Sequence, residues 1–135
     1  MRLELTRRAD YGIRATIALA QAGNERRSVR RVAAEQRIPP AFLSRVMADL
    51  TRAGIVEATT GRSGGYRLAR SAARISLLDV VEAVEGDVRR RTCVLRGGAC
   101  RLNGVCTVHP VFAAAQDDLL ATLARAKLGD MIPAT

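Results

Sequence analysis

Aromatic residues are scarce in this chain of 135 residues, which has no Trp and only two each of Phe and Tyr. The core must therefore be filled by Ala, Leu, Val and Ile, a composition that suits packed helices. No apolar run is long enough for a transmembrane helix. The charged start MRLELTRRAD also lacks the apolar stretch of a secretory signal. We expect a cytoplasmic protein with no membrane partner.

Motifs for catalysis are missing as well. The sequence has no acid–base pair or nucleophile triad, and its glycine-rich GRSGG lacks the Lys and the spacing of a phosphate-binding loop. These absences predict a protein that is not an enzyme and has no small-molecule substrate. Residues that bind metals are few, and the three Cys and the single His all lie within residues 93–109.

The excess of positive charge is confined to the first half of the chain. Residues 1–75 carry the whole net charge of +9, because fifteen Arg outnumber six acidic residues there, while residues 76–135 are neutral overall. Such an asymmetry favours binding of a polyanion by the basic half. We therefore expect a DNA-binding region at residues 1–75 and a second region, 76–135, with another role.

Helical signals come first. Thr6 is a candidate cap for a helix over Arg7–Ala22, in which Ile13, Ile17 and Ala20 recur at the spacing of a buried face.

Two shorter helices follow, with a tight break between them. Ser28 is a candidate cap for the first, Val29–Gln36, and the residue before Pro39 disfavours helical geometry. Pro40 suits the first turn of the second helix, which we expect to run to Ala53. This arrangement predicts a helix-turn-helix. In its second helix the spacing buries Phe42 or Leu43 with Val46 and Leu50, and turns outward Ser44, Arg45, Asp49 and Arg52.

A hairpin is predicted next. Ile55–Thr59 and Tyr66–Leu68 have the composition of strands, and the GRSGG loop between them carries Arg62 at its tip. A hairpin directly after a helix-turn-helix is the wing of a winged helix. The predicted fold is therefore mainly α with a small β-hairpin wing.

Candidate DNA contacts lie on the second helix of this motif, on the wing loop and at the start of the preceding helix. Arg45 suits the O6 and N7 atoms of guanine in the major groove, and Arg62 suits a narrow minor groove. Arginines at 26, 27, 30 and 31 suit phosphates. The full set is Ser28, Arg30, Arg31, Ala41, Ser44, Arg45, Arg52, Thr60, Arg62 and Ser63.

The second region begins with a short helix. Ser76 and Asp79 have capping-box spacing, and Gly86 ends the helix. After the cysteine-rich loop at 93–109, Pro110 opens a long helix, Val111–Leu128, which we expect to pair with a second subunit within residues 110–129. Its apolar positions are Phe112, Ala115, Leu119, Leu123 and Ala126.

Several stretches together resemble one family. TRRADYGIRATIALA, FLSRVMADLTRAGIV, GRSGGYRLAR and ISLLDVVEAVEG are similar to the Rrf-type winged-helix regulators, the family of IscR, NsrR and RirA. The resemblance implies a homodimer that binds a pseudo-palindromic operator in double-stranded DNA. It also implies an iron–sulfur cluster held by three cysteines between the helix after the wing and the dimer helix.

The candidate cluster ligands are Cys93, Cys100 and Cys106, spaced C-x6-C-x5-C. Thiolates are the main ligands of iron–sulfur clusters, and nearby arginines favour thiolate over thiol. Three cysteines leave one position for another ligand. His109 follows Cys106 in an arrangement that resembles IscR and favours [2Fe–2S]. Asp10 matches the position from which NsrR-type proteins supply a carboxylate across the dimer to [4Fe–4S].

Other chemistries fit the same residues. A set of three Cys and one His suits tetrahedral zinc, and two of the cysteines could form a reversible disulfide with no metal. A small iron–sulfur electron carrier is a further alternative, which leaves the basic half unexplained. We favour a repressor whose operator binding is switched by a cluster that senses iron–sulfur status, nitric oxide or redox stress.

Overall fold

The computed structural model describes residues 5–86 and 106–133. Its helices are α1 (Arg7–Ala22), α2 (Val29–Gln36), α3 (Pro40–Arg52), α4 (Leu77–Glu85) and α5 (His109–Arg125). Strands β1 (Val56–Thr59) and β2 (Gly65–Leu68) form an antiparallel hairpin between α3 and α4. Short 3-10 turns, Ala72–Arg74 and Leu128–Met131, precede α4 and follow α5. The described part of the chain is mainly helical with a small hairpin, as predicted. None of its helices is long and apolar enough to cross a membrane.

Side-chain caps fix where three of the helices begin. Thr6 accepts a hydrogen bond of 3.2 Å from the amide of the third residue of α1, and Ser28 accepts one of 3.1 Å in α2. Ser76 and Asp79 form the predicted capping box at α4, with two bonds of 2.9 Å. Each cap satisfies an amide that has no partner inside its own helix. These three helices therefore start where the sequence predicts.

The break between α2 and α3 is made one residue earlier than the prolines suggest. Arg37 adopts the left-handed conformation, with φ of 56° and ψ of 49°. The amide of Ile38 then donates to the carbonyl of Ala33 at 2.9 Å, and the Ile38 side chain is buried. Helix α3 begins at Pro40 as predicted and ends at Arg52, one residue before the expected end.

The buried face of α1 differs from the predicted one. The predicted positions Ile13, Ile17 and Ala20 are only half-buried. The face packed into the core carries mainly small residues, with one large one, Leu19: Ala9, Gly12, Ala15, Thr16, Ala18 and Leu19. A Cβ added at Gly12 would lie 3.3 Å from Cγ1 of Val80 and 3.4 Å from Cγ1 of Val84. Helix α1 therefore approaches α4 closely, and small side chains are what that approach requires.

The buried stripe of α3 is confirmed. Val46 and Leu50 are fully buried, and of the two alternatives at its start it is Leu43 that is fully buried. Phe42 is half-buried and meets Tyr11 of α1 edge to face, with ring centroids 5.1 Å apart.

The prediction that Asp49 faces solvent is wrong. Only 12% of its side chain is exposed, because Arg8 of α1 and Arg52 of α3 both form ion pairs with its carboxylate. A carboxylate can be this far buried when both of its oxygens are paired.

The long C-terminal helix ends earlier than predicted, at Arg125. The next residues are extended and lie against the start of α4: the amide of Leu77 donates to the carbonyl of Ala126 at 2.9 Å, and the amide of Leu128 donates to the carbonyl of Ile75 at 2.8 Å. Leu128 is fully buried. Two backbone hydrogen bonds and the burial of a Leu side chain outweigh one more helical turn.

The hairpin is anchored to the residues before α2. The amide of Arg27 donates to the carbonyl of Tyr66 at 2.9 Å, and the Tyr66 amide donates back at 2.8 Å. Gly65 lies beside this bridge with φ of +134°, and a Cβ there would lie 2.8 Å from the Arg27 carbonyl oxygen. The wing is therefore held by a contact that only glycine permits.

Replacing Gly65 tests this close approach. Gly65→Ala should lower the free energy of unfolding by about 1–3 kcal/mol, because a Cβ adds both a clash and an unfavourable φ. Urea denaturation followed by circular dichroism measures the loss. The matched control is Gly129→Ala, where the nearest atoms lie at 3.5 Å or more, and its stability should change by less than about 0.5 kcal/mol. Equal losses in the two variants would contradict the contact.

Candidate nucleic-acid interface and cysteine site

The outer face of α3 presents Ala41, Ser44 and Arg45, all exposed. Their positions follow from the burial of Leu43 and Val46 on the opposite side of the helix. The Ser44 hydroxyl donates to the carbonyl of Pro40 at 3.1 Å, so its oxygen lone pairs remain available as acceptors. Arg45 forms no ion pair with any residue that the structure describes. Its guanidinium can therefore bind a base edge without breaking an existing contact.

Arg52 is placed differently from Arg45. It is 74% exposed but already paired with Asp49 through one terminal nitrogen. Its remaining N–H groups can still reach a phosphate. The Arg52 guanidinium would then be shared between that phosphate and the largely buried carboxylate of Asp49.

The loop between β1 and β2 carries the three candidate wing residues, Thr60, Arg62 and Ser63, all exposed. Arg62 has no hydrogen-bond or ion-pair partner among the described residues. The loop is tight, because a Cβ at Gly64 would overlap the Thr59 carbonyl oxygen. Among the described residues, Arg62 is thus an unpaired cation on the short, tightly folded tip of the wing.

The start of α2 contributes a second group of cations. Arg30 is exposed and unpaired within the described ranges 5–86 and 106–133, whereas Arg31 pairs with Glu35 at 2.8 Å. The Ser28 hydroxyl oxygen is engaged as the helix cap. Arg30 is therefore the cation here that needs no rearrangement to bind a phosphate.

The two arginines before α2 have structural partners. Arg26 donates through Nε to Oγ1 of Thr59 on β1 at 3.1 Å. Arg27 pairs with Glu25 at 2.8 Å, and only 17% of its side chain is exposed. The Arg26 bond and the backbone bridge between Arg27 and Tyr66 hold the start of α2 against the hairpin, so two of the predicted binding regions are adjacent.

The candidate metal ligands are described only in part. Cys93 and Cys100 lie outside the described residues. Cys106 is half-buried, and its carbonyl accepts the amide of His109 at 3.3 Å, which puts the thiol one turn before the imidazole at the start of α5. Neither side chain hydrogen-bonds to a described residue. Within the described ranges, no group of three or more His, Cys, Asp or Glu is arranged to hold a metal.

Asp10, the alternative fourth ligand, is paired within its own chain. Its Oδ2 accepts Nη2 of Arg14 at 3.1 Å, and 46% of the side chain is exposed. The other terminal nitrogen of Arg14 donates to the carbonyl of Gln36 at the end of α2, at 2.6 Å. Coordination by Asp10 would therefore have to proceed through its other oxygen or share the carboxylate with Arg14.

Sequence reasoning missed a cluster that joins three helices. Arg8 of α1 pairs with Asp49 of α3 and donates through Nε to the carbonyl of Val84 in α4, at 3.1 Å. The spacing of Asp49 and Arg52 gave a local signal for one of these pairs. Nothing local indicates Arg8, which lies 41 residues before Asp49.

Comparison with known proteins gives a consistent picture. The model of the Rrf2 family, described as an iron-dependent transcriptional regulator, matches residues 5–134. The transcriptional regulator NsrR of Shouchella clausii is 35% identical over 121 residues, which are 83% of this chain and 79% of NsrR. The solved structure of IscR from T. potens has a TM-score of 0.75 and 26% identity, and the match covers 96% of this chain and 85% of that one. The structure of CymR, the global cysteine regulator of B. subtilis, has a TM-score of 0.80 at 20% identity over 96% of both chains, a likeness of fold.

Arg45→Ala tests base recognition. We expect it to weaken binding to a duplex that the protein itself selects from a random library by about 1–3 kcal/mol, and to affect an unrelated duplex much less. Fluorescence anisotropy measures both affinities. Arg74→Ala, which removes an exposed cation outside both α5 and the candidate DNA contacts, is the control and should leave them unchanged. A loss of the same size on both duplexes would indicate a phosphate contact.

Arg30→Ala tests phosphate binding. Affinity should fall on every duplex, and the slope of log K against log salt concentration should become shallower by about 1, because one fewer counterion is released. A titration between low and physiological salt measures the slope. An unchanged slope would remove Arg30 from the interface.

Proposed function

This chain belongs to the Rrf2 family of transcriptional regulators, and we propose that it is a homodimeric repressor whose operator binding is controlled by an iron–sulfur cluster. Like its family and its relatives, it is a transcriptional regulator that binds DNA, and it is not an enzyme. The dimer, the cluster, the repression and a cytoplasmic location are the proposed parts. The proposed signal is iron–sulfur status, nitric oxide or redox stress.

One observation carries the proposal: every Cys and the only His of the chain lie within residues 93–109, which run from after α4 to the first residue of α5. In a reducing compartment, such a group of thiols favours a metal or redox role over structural disulfides. The iron-dependent description of the family model and the similarity to proteins named NsrR and IscR support iron as the metal.

The described donors suit such a cluster chemically. Cys106 supplies a thiolate and His109 an imidazole, and neither side chain is engaged by another described residue. Cys93 and Cys100 complete the proposed set. When bound, the cluster would cross-link these residues, and its oxidation or loss would remove the cross-link. We favour [2Fe–2S] with His109 as the fourth ligand, and [4Fe–4S] with Asp10 of the partner subunit is the alternative.

The connections of α5 support a way for this region to act on DNA binding. The end of α5 is bonded to the start of α4 through the Ala126 and Ile75 carbonyls, and its start follows the cysteine segment. A rearrangement of that segment would therefore change how α5 meets α4 while the far end of α5 stays attached.

Dimerisation through α5 would convert that change into a change of spacing. No residue of α5 is fully buried within the chain, and Val111 and Leu119 are 68% and 43% exposed. Burial of these side chains against a second copy would favour pairing. Since operator half-sites require a fixed separation of two recognition helices, a small shift at α5 lowers affinity. Residues 1–75 would thus bind DNA and residues 76–135 would sense and dimerise.

The visible absorption spectrum of protein purified without oxygen tests the cluster. The wild-type chain should absorb in the visible range, and Cys100→Ala should be colourless because a thiolate ligand is lost. Arg125→Ala, on α5 beyond the candidate ligands, is the control and should keep the colour. A colourless wild-type chain with stoichiometric zinc would favour the structural-zinc alternative, and one with no metal and a reversible disulfide would favour the thiol alternative.

Two further variants identify the fourth ligand. If His109 completes the set, His109→Ala should alter the wild-type spectrum and Asp10→Ala should leave it unchanged. The mass of the intact dimer in a native mass spectrum gives the number of iron atoms. A spectrum that changes only in Asp10→Ala would assign the carboxylate across the dimer.

A further inference from the structure

One side chain of α1 bonds the end of α4 to α3, the candidate recognition helix. Arg8 donates through Nε to the carbonyl of Val84 in the last turn of α4, at 3.1 Å, and through Nη2 to Asp49 of α3. The adjacent Thr6 hydroxyl donates to the carboxylate of Glu85. Helix α4 is thus tied to α1 and α3 at the end from which the chain continues into the cysteine segment.

The geometry of Arg8 makes this tie stiff. A guanidinium is planar, and its Nε–H and Nη2–H groups leave from one edge in fixed directions. The Val84 carbonyl and the Asp49 carboxylate are therefore held side by side on that edge. If the last turn of α4 moves, Arg8 cannot keep both bonds unless α3 moves with it.

Asp49 connects the Arg8 contact with the face of α3 that carries the candidate DNA contacts. Asp49 lies one helical turn after Arg45, on the same side of α3, and also pairs with Arg52, which is 74% exposed. With only 12% of the Asp49 side chain exposed, opening the Arg8 pair would leave a largely buried carboxylate with one cation fewer. A displacement of the last turn of α4 that keeps this pair therefore requires α3 to move with it.

We propose that Arg8 and Asp49 are positioning residues that transmit a change in the cysteine segment from the end of α4 to the recognition helix. This inference rests on the proposed function, because it requires the cysteines to have two states. It assigns the transmission within one chain to a contact between three helices, in addition to any change of spacing at the dimer.

Hydrogen exchange measured by mass spectrometry tests the transmission. The full-length protein is compared metal-free and after anaerobic reconstitution with iron and sulfide. In the wild-type chain, reconstitution should change exchange both at residues 77–86 and at residues 42–53. In Asp49→Asn, which keeps the shape and removes the charge, the change at 77–86 should remain and that at 42–53 should fall by at least roughly half.

Glu57→Gln is the matched control, since it removes an ion pair, with Arg67, that lies within the hairpin. It should respond as the wild-type chain does. Affinity for the selected duplex should follow the same pattern: the ratio between the two states should approach one in Asp49→Asn and stay at its wild-type value in Glu57→Gln. A purely structural role for Asp49 would lower stability in both states and leave the ratio unchanged.

A second measurement needs no cluster. In the metal-free protein, Asp49→Asn should speed exchange of the amides at 84–86 by roughly twofold or more, because Arg8 is released from α3, and Glu57→Gln should not. If Asp49→Asn fails to fold, Arg8→Lys replaces it, because an ammonium keeps the charge but cannot present two donors from one edge.

The outcomes separate the two proposals. A response at 42–53 in Asp49→Asn as large as in the wild-type chain overturns the transmission and leaves the cluster standing. A wild-type chain that takes up no iron overturns the cluster. In that case, exchange of the amides at 84–86 in the metal-free protein tests the Arg8 contact by itself. Rates in Asp49→Asn equal to those of the wild-type chain would overturn that contact.

Discussion

The close packing of α1 against α4 is the constraint on which the described part of the structure depends. Gly12 lets Val80 and Val84 come within contact distance of the α1 backbone, and the neighbouring small residues of α1 extend this face. With α1 this close to both α3 and α4, Arg8 can reach two helices at once. A larger side chain at Gly12 would push the helices apart and lengthen every contact that crosses between them.

Pairing divides the arginines of the basic half into two groups. Arg8, Arg27 and Arg31 are held by carboxylates and stabilise contacts within the chain. Arg45 on α3, Arg30 on α2 and Arg62 on the wing loop have no such partner among the described residues. An unpaired guanidinium can bind DNA without first losing an ion pair. Net charge therefore indicates the binding half, and pairing indicates which cations are available for binding.

Fold and chemistry are separate questions in this protein. Solved structures named IscR and CymR both share its architecture, and one fold can host different sites. The donor atoms, and not the fold, therefore indicate which signal the protein senses. They are one thiol and one imidazole at the start of α5 and two more thiols in the preceding segment. Helix α4 is bonded at its start to the residues after α5 and at its end to Arg8 of α1, so it connects α5 with the proposed DNA-binding half.

The sequence by itself determined the order of the elements and most of their starts, because caps, prolines and glycines act on the backbone within a few residues. It also identified the candidate ligands and the candidate DNA contacts, since residue type and spacing are local properties. Tertiary structure alone decided that α1 buries its small residues, that Asp49 is paired and that α5 ends at Arg125. Each of these depends on a partner brought close by folding: Val80 for Gly12, Arg8 for Asp49, and Ile75 for Leu128. Local pattern carries no information about such partners, because the free energy of these contacts arises only when distant segments meet.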